Sequence, residues 1–577
     1  MKLGFSNFNE KLFSSGEISS IGTVGTMRLL RGGVARFLNF LGRSLAYSST
    51  RSYGCFLISF GFLSLVLQLG EYYFKAAPNV PISSLAVSLI LALVAIPLLV
   101  FSKPMCVAVQ DFYLTDKLLF DFLSIKRMHR NTEQATVSPI LAMFLGFIPA
   151  TVGFFLSVEW VIIAIFVAVI VILAFVSPEF SMILTIISLP YLSLLPHPVL
   201  SLCSLSVMTF ISFAMKVVIG KRTFYFDIYS AIIFLIMILA VISGAMGLGG
   251  DSLKNSFVFI ALVLGYFPIS NIIINRRLAD SAVNAVIISA IPVAILSLIE
   301  FIAELSNAPS YSTPGVSALF SSPSSLSAFL LVSAILTLAF AFEKKKSAKK
   351  VFYGAVFVFE LSVLCLIMRP DVWLAGIFAL LAYSIIKSRR LPMDVLILLV
   401  ASSHLIYLIS ESTLDTVFGY FGITPLFSER LSSCGLLIDL FSDNLWLGVG
   451  IGSVSSGGGV YNNLLGIGAS LGILVLALFC LMLVLRFRHL SYYRHYMRNS
   501  LVSVTGDMTA VALIALLSVG VFEFIFADLA VLYIFITVFA ISTASLRTAR
   551  RENDDRLGYY GDSSSSDSSA LDISISR

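Results

Sequence analysis

Apolar residues form long stretches that are hydrophobic on every face. The stretch VIIAIFVAVIVILAFV, Val161–Val176, is one example, and short polar breaks separate such stretches. A hydrocarbon core about 30 Å thick needs about 20 apolar residues per helix, whereas a membrane β-strand needs alternation over about 10 residues. The pattern therefore predicts an all-α, polytopic transmembrane helical bundle and excludes a transmembrane barrel. It has about 16 spans, within a range of roughly 12 to 16.

The predicted spans are defined by the centres of these apolar stretches. They lie near residues 62, 91, 147, 168, 188, 208, 236, 265, 293, 333, 360, 379, 402, 475, 517 and 537. Apolar residues make up 58% of the 577 and charged residues only 12%, too few to cover a soluble protein of this size. The composition and the pattern thus both indicate a multi-pass membrane protein, and we expect a bacterial cytoplasmic membrane.

Basic residues give the orientation of the chain. With both termini placed in the cytoplasm, all but four of the 38 Lys and Arg residues fall on the inner side, as expected for cytoplasmic loops. The four exceptions are Lys75, Lys254, Arg369 and Arg430. The formal charge of +6 is therefore explained by membrane orientation, so membrane lipids are expected partners and nucleic acid is not.

Four regions follow from these patterns. Residues 1–52 are predicted to form a basic, interfacial cytoplasmic segment, and residues 53–178 extra N-terminal helices with an interfacial cytoplasmic loop. Residues 180–546 form the main transmembrane core, which contains the longest external loop, residues 411–462. Residues 547–577 are rich in Ser and Asp and are predicted to be a disordered cytoplasmic tail.

The external loop and its surroundings hold the candidate chemistry, because long loops without regular structure tend to be functional. Arg430 begins a helical stretch of the loop, and Arg369 lies at the outer end of a span. Guanidinium groups match phosphate oxygens in a bidentate manner, so this pair suggests capture of an anionic headgroup or diphosphate. The alternative is that each arginine only pairs with an acidic residue nearby, such as Asp371 or Glu429.

The end of the loop is rich in glycine. Gly448, Gly450 and Gly452 form GVGIG, and glycine allows positive φ and close approach of backbone N–H groups to an anion or a neighbouring helix. Flexible re-entry of the chain into the membrane is the competing explanation. The two nucleotide-binding patterns, G-x-G-x-x-G after a strand and G-x-x-x-x-G-K, are both absent from this sequence.

The order of these motifs resembles the O-antigen ligase and polysaccharide polymerase family of membrane glycosyltransferases. The resemblance lies in RLSSCGLLIDLFSDNLWLGVGIGS, then YNNLLGIGASLGILVLALFCLMLVLRFR, with LIMRPDVWLAGIFALL upstream. It covers residues 180–546. It implies extracytoplasmic transfer of glycan from a polyprenyl-diphosphate-linked donor to a sugar or other hydroxyl acceptor, so a lipid-linked glycan donor and a glycan or lipid acceptor are expected partners.

The resemblance also implies roles for particular residues. Arg369 and Arg430 would stabilise the charge on the leaving diphosphate without a metal, and no metal or cofactor is expected. The family often has a His before the loop Asn, where Val460 and Tyr461 stand here. The departures at Met368 and Ser470 likewise leave open a polymerase, another transferase or an inactive relative.

Several further residues are candidates on their chemistry alone. Glu360 and His404 lie within predicted spans, where ionisable side chains are rare, and could serve the acceptor hydroxyl as a base. Tyr461, Asn462 and Asn463 could hydrogen-bond sugar hydroxyls or could simply cap the following span.

Two other classes of function remain open. A transporter or lipid flippase would need charged residues along a central path and broken helices in two related halves, and neither is evident. A catalytically inactive scaffold for envelope assembly is the third hypothesis. The transferase hypothesis requires Arg369 and Arg430 to surround one external cavity.

Overall fold

The structure is a computed structural model that describes residues 46–74, 82–117, 137–247, 250–307, 316–343, 347–367, 369–387, 437–453, 462–498 and 503–572, together with isolated positions and one short strand. Within these residues the fold is an all-α bundle, as predicted. The strands are limited to an antiparallel pair, β1 (Gly16–Glu17) with β2 (Tyr225–Phe226).

The helices of the described residues are numbered in chain order. In order they are α1 Thr50–Phe74, α2 Ile82–Val100, α3 Met105–Asp111, α4 Tyr113–Thr115, α5 Pro139–Leu156, α6 Val158–Val176, α7 Pro178–Ser188, α8 Pro198–Val218, α9 Ile228–Met246, α10 Ser252–Val263, α11 Tyr266–Ile272, α12 Arg276–Asn307, α13 Pro323–Glu343, α14 Ser347–Ile367, α15 Pro370–Lys387, α16 Asn463–Arg498, α17 Ser503–Phe522 and α18 Leu529–Asp572. Short 3₁₀ helices at Leu189–Leu194 and Ile525–Ala527 complete the set.

Among the described residues, thirteen helical segments are long and apolar enough to cross a membrane. They contain thirteen of the predicted span centres. The centre near 379 falls in α15, and the one near 402 lies outside the described residues. The centre near 188 falls in a shorter apolar helix, Pro178–Leu194, whose α-helical part ends at Ser188 because Pro190 disfavours helical geometry in the residue before it.

The chain divides into two compact units. One contains Ser20–Ser181 and Ile211–Arg222, and the other contains Met1–Ser19, Met182–Phe210 and Thr223–Arg577. In the first, α1 packs against α2 and α5, and Ser84 Oγ donates to Glu159 Oε1 at 2.8 Å, which ties α2 to α6. In the second, α13 lies at the centre. Of its apolar stretch 83% is buried, whereas the figure for its neighbour α14 is 28%.

The structure describes the two ends of the chain to different extents. The predicted N-terminal interfacial segment, residues 1–52, falls mostly outside the described residues. At the other end, α18 continues to Asp572 and so runs through most of the segment predicted to be a disordered tail. Extending an existing helix adds one hydrogen bond per residue and avoids the cost of nucleation, which favours this continuation.

Candidate functional site

The glycine-rich end of the external loop is folded against a break in α16. A short helix at residues 437–443 leads into a turn, and Gly472 interrupts α16 with φ 82° and ψ 174°. The N–H groups of Val449 and Gly450 donate to the carbonyls of Ala469 and Ser470 at 2.8 and 2.9 Å. Backbone groups released by the break are therefore bound by the loop.

Glycine is required on both sides of this contact. A Cβ atom on Gly472 would lie 2.1 Å from the Trp446 carbonyl oxygen, and one on Gly448 would lie 2.5 Å from the Ser470 carbonyl carbon. Gly448, Gly450 and Gly452 have φ values of 68°, 95° and 89°, a region that favours glycine. The bare backbone thus allows loop and helix to touch main chain to main chain.

This arrangement bears on the proposed substrate-binding role of the glycines. The Gly448 N–H donates to the Asn444 carbonyl at 2.9 Å, and the Gly450 N–H is used by Ser470. Both amides thus have protein partners, so the neighbouring helix is the contact that the structure gives them. A direct role for Gly448, Gly450 and Gly452 in binding substrate stays a prediction.

Asn462 and Asn463 fasten the start of α16. Asn462 Oδ1 accepts from the N–H groups of Leu464 and Leu465 at 2.8 and 3.2 Å, which is a helix N-cap. Its Nδ2 donates to the Val521 carbonyl at 3.2 Å, at the end of α17. Asn463 is buried, and its Oδ1 accepts from the Phe526 N–H at 3.2 Å. The capping interpretation therefore describes the contacts of Asn462, whereas Asn463 bonds to the 3₁₀ helix Ile525–Ala527.

Arg369 lies between α14 and α15 and reaches the same end of α17. Its Nη2 donates to Glu523 Oε2 at 2.9 Å and also to Ser324 Oγ at the start of α13. The two charged side chains are 29% and 19% exposed, so this ion pair remains in contact with the surroundings. We call Ser324, Arg369 and Glu523 the polar corner.

A second carboxylate next to the polar corner has a structural role. Asp528 Oδ2 accepts from Ser321 N and Oγ at 3.0 and 2.7 Å, and Asp528 Oδ1 accepts from the Ala530 N–H at 2.9 Å. Asp528 therefore begins α18 and holds the segment before α13 against it.

An apolar cavity of about 380 Å³ lies inside the same unit, between α9, α10, α16 and α18. Gly452 and Asn255 line one end, and Tyr266 and Met482 line the other. Asn255 Nδ2 donates to the Ile451 carbonyl at 3.1 Å, which holds the glycine turn over the cavity. Beyond the break, the wall follows α16 from Val475 to Met482, about 10 Å at 1.5 Å per residue.

The cavity and the polar corner share one short segment of chain. Phe526, Ala527 and Leu529 line the cavity, and Glu523 precedes them by three to six residues. Residues 523–529 therefore bond to Arg369 at one end and line the cavity at the other. An amphiphile with an anionic head and a hydrocarbon chain matches this combination.

Glu360 is not part of this arrangement. It is fully buried in α14, and its carboxylate accepts from Ser333 Oγ at 2.6 Å and Thr337 Oγ1 at 3.3 Å on α13. It lies seven residues before the end of α14 at Ile367, about 10 Å along the helix, and Arg369 follows beyond that end. Its hydroxyl partners indicate a buried packing role, and its proposed catalytic role gains no support from its position.

A buried basic residue within a span corrects the sequence interpretation, in which no such residue was evident. Arg486 is fully buried in α16, and its Nε and Nη2 donate to Ser542 Oγ and the Ser542 carbonyl, each at 3.0 Å. Three residues further along, His489 Nδ1 shares a hydrogen bond with the Tyr229 hydroxyl. The signal in the sequence is that Arg486 directly follows the long apolar stretch of α16 and stands between Leu485 and Phe487.

The remaining candidates are not described. Arg430, His404 and Tyr461 lie outside the described residues, so the encounter of Arg430 with Arg369 stays a prediction. Across the described part of the chain, no group of three or more His, Cys, Asp and Glu residues is placed to hold a metal ion. Neither the scan of protein-family models nor the search of curated proteins finds a match to this chain.

Proposed function

We propose that this protein is a membrane glycosyltransferase that moves glycan from a polyprenyl-diphosphate-linked donor to a hydroxyl acceptor on the non-cytoplasmic face of a bacterial cytoplasmic membrane. The proposal includes about 16 spans with both termini in the cytoplasm. Polymerisation and ligation are both covered, because they differ only in the acceptor. The motif resemblance to the O-antigen ligase and polysaccharide polymerase family motivates this choice of chemistry.

The observation that carries the proposal is that Arg369 pairs with Glu523, which directly precedes the segment whose residues Phe526, Ala527 and Leu529 line the apolar cavity. A guanidinium at the polar corner supplies charge for a diphosphate, and the cavity of about 380 Å³ has the volume for part of a hydrocarbon chain. In the proposal Arg430 adds a second guanidinium. Each such charge donor can lower the barrier by about 3 to 4 kcal/mol as the leaving group becomes negative.

The distribution of charge supports an external position for the site. Lys349 and Lys350 lie at the beginning of α14, and Arg369 follows its end about 30 Å away. Arg276 and Arg277 begin α12, whose other end leads towards α13 and Ser324. Because basic residues favour the cytoplasmic side, the polar corner belongs on the opposite face.

A transporter or lipid flippase is the second candidate, and the broken helix α16 favours it. Broken helices often offer free backbone groups to an ion or substrate. Here the Ala469 and Ser470 carbonyls and the Ile473 N–H are already bonded to the loop. The break therefore gives little binding capacity to cargo, and the transferase remains the better-supported proposal.

Replacement of Arg369 by Ala tests the proposal in cells. We expect the variant to insert normally and to lose long surface glycan, while lipid-linked donor accumulates. Surface glycan would be resolved by gel electrophoresis and the protein measured in membrane fractions. Glycan of normal length in a normally inserted variant would refute the proposal, and glycan trapped on the cytoplasmic side would favour the flippase.

A further inference from the structure

We propose that the Glu523 carboxylate accepts the proton of the acceptor hydroxyl, and that binding of the donor diphosphate to Arg369 releases Glu523 for this role. This inference rests on the proposed function, since it assigns a further residue to the same site. It gives the ion pair at the polar corner a place in the reaction sequence.

Glu523 is placed where a proton acceptor is needed. Its Oε2 accepts from Arg369 Nη2 at 2.9 Å, so the carboxylate lies within one hydrogen bond of the group that would hold the diphosphate. No residue in the described ranges bonds to its Oε1. A general base must come within hydrogen-bond reach of the proton that it takes, and this oxygen meets that requirement for a hydroxyl arriving at the corner.

The Arg369–Glu523 pair is suited to exchange. Both side chains are partly exposed, so a competing anion can reach the pair. A diphosphate has more negative charge than a carboxylate and can bind a guanidinium in a bidentate manner, so it competes well for Arg369. The carboxylate that it displaces loses its cationic partner and can then accept a hydrogen bond from the acceptor hydroxyl.

The reaction then balances with these two residues. The acceptor oxygen forms a bond to the anomeric carbon of the donor, and the bond from that carbon to the diphosphate oxygen breaks. The diphosphate leaves with the electron pair and is stabilised by Arg369, and the hydroxyl proton passes to Glu523. Since the base is released only when donor is bound, acceptor activation follows donor binding.

Asp528 provides a matched control. It is a carboxylate five residues away, but both of its oxygens accept hydrogen bonds, from Ser321 and from the Ala530 N–H. A change at Asp528 therefore removes a negative charge from the same segment without touching Arg369.

The experiment compares Glu523→Gln, Arg369→Ala and Asp528→Asn in the full-length protein. Farnesyl diphosphate, titrated against each variant in detergent, reports diphosphate binding. We expect Glu523→Gln to bind about two- to fivefold more tightly because a competing anion is gone, and Arg369→Ala to bind at least about tenfold more weakly. In cells, Glu523→Gln should reduce the rate of glycan extension by about 100-fold or more, the usual contribution of a general base.

Tighter diphosphate binding together with slower glycan extension in Glu523→Gln identifies Glu523 as the proton acceptor. Weaker or unchanged diphosphate binding in Glu523→Gln, or glycan of normal length in that variant, would overturn the inference. The proposed function would still stand if Arg369→Ala loses both diphosphate binding and long glycan. Tighter diphosphate binding and slower glycan extension in Asp528→Asn would also overturn the inference, because loss of a negative charge alone would then explain both changes. Normal binding and glycan in Arg369→Ala would instead refute the proposed function itself.

Discussion

At the residue scale, charged side chains are informative because they make up only 12% of the chain. Arg369 was singled out by its predicted external position, and the sequence offered Asp371 as a nearby partner. One partner in the structure is Glu523, which lies 154 positions further along the chain. Sequence reasoning ranks neighbours by separation along the chain, so it could find the arginine and could not find this distant partner.

Gly472 gives the first prediction at this scale. Gly472→Ala would place a Cβ atom 2.1 Å from the Trp446 carbonyl oxygen at a positive φ, so we expect a loss of about 3 kcal/mol or more of stability. Thermal unfolding of the detergent-solubilised protein measures this. Gly354→Ala in α14 is the control, because nothing lies within 4 Å of the added atom, and it should be neutral or slightly stabilising.

Glu360 gives a second prediction. Glu360→Gln keeps a side chain that can bond to Ser333 and Thr337, so we expect a loss of less than about 1 kcal/mol and normal surface glycan. Glu360→Ala leaves both hydroxyls without this partner and should cost about 2 to 3 kcal/mol. A loss of glycan in a stable Glu360→Gln variant would show that this carboxyl takes part in the chemistry after all.

At the element scale, the apolar stretches predicted the helices well because the bilayer fixes their length. The break in α16 could not be predicted from the apolar stretches. Its cause is a backbone contact between residues 445–450 and 469–473, and backbone pairing leaves no mark on hydrophobicity. The sequence signal was the run of glycines, which showed that main chain approaches something closely without showing what.

Hydrogen exchange tests this contact. The amides of Val449, Gly450 and Ile473 donate across it at 2.8 to 2.9 Å, so we expect them to be protected together in the native protein. Gly448→Ala should speed exchange in residues 469–473 as well as in the loop, because its Cβ would contact Ser470. Faster exchange in the loop alone would mean that the two segments open independently.

At the scale of the whole molecule, the all-α membrane bundle was predicted from composition and periodicity alone. The cavity was not, because its wall is assembled from α9, α10, α16 and α18 and depends on how these helices pack. The proposed meeting of Arg369 with Arg430 likewise depends on tertiary structure, and Arg430 lies outside the described residues.

Filling the cavity is the corresponding prediction. Val475 lines it and is buried, whereas Leu474 on the same helix is 41% exposed. We expect Val475→Trp to abolish farnesyl diphosphate binding by occupying the space for the chain, and Leu474→Trp to leave binding unchanged. Gel filtration of both variants would show that they remain folded. Equal farnesyl diphosphate binding in the two variants would mean that the farnesyl chain binds outside this cavity.

The central claim is that Arg369 binds the diphosphate of a lipid whose chain enters the cavity. A structure of the full-length protein determined with farnesyl diphosphate tests it most directly. The account predicts a diphosphate oxygen about 3 Å from the Arg369 guanidinium, Glu523 separated from it, and the farnesyl chain between α10 and α16. A diphosphate bound elsewhere, with the Arg369–Glu523 pair intact and the cavity empty, would contradict it.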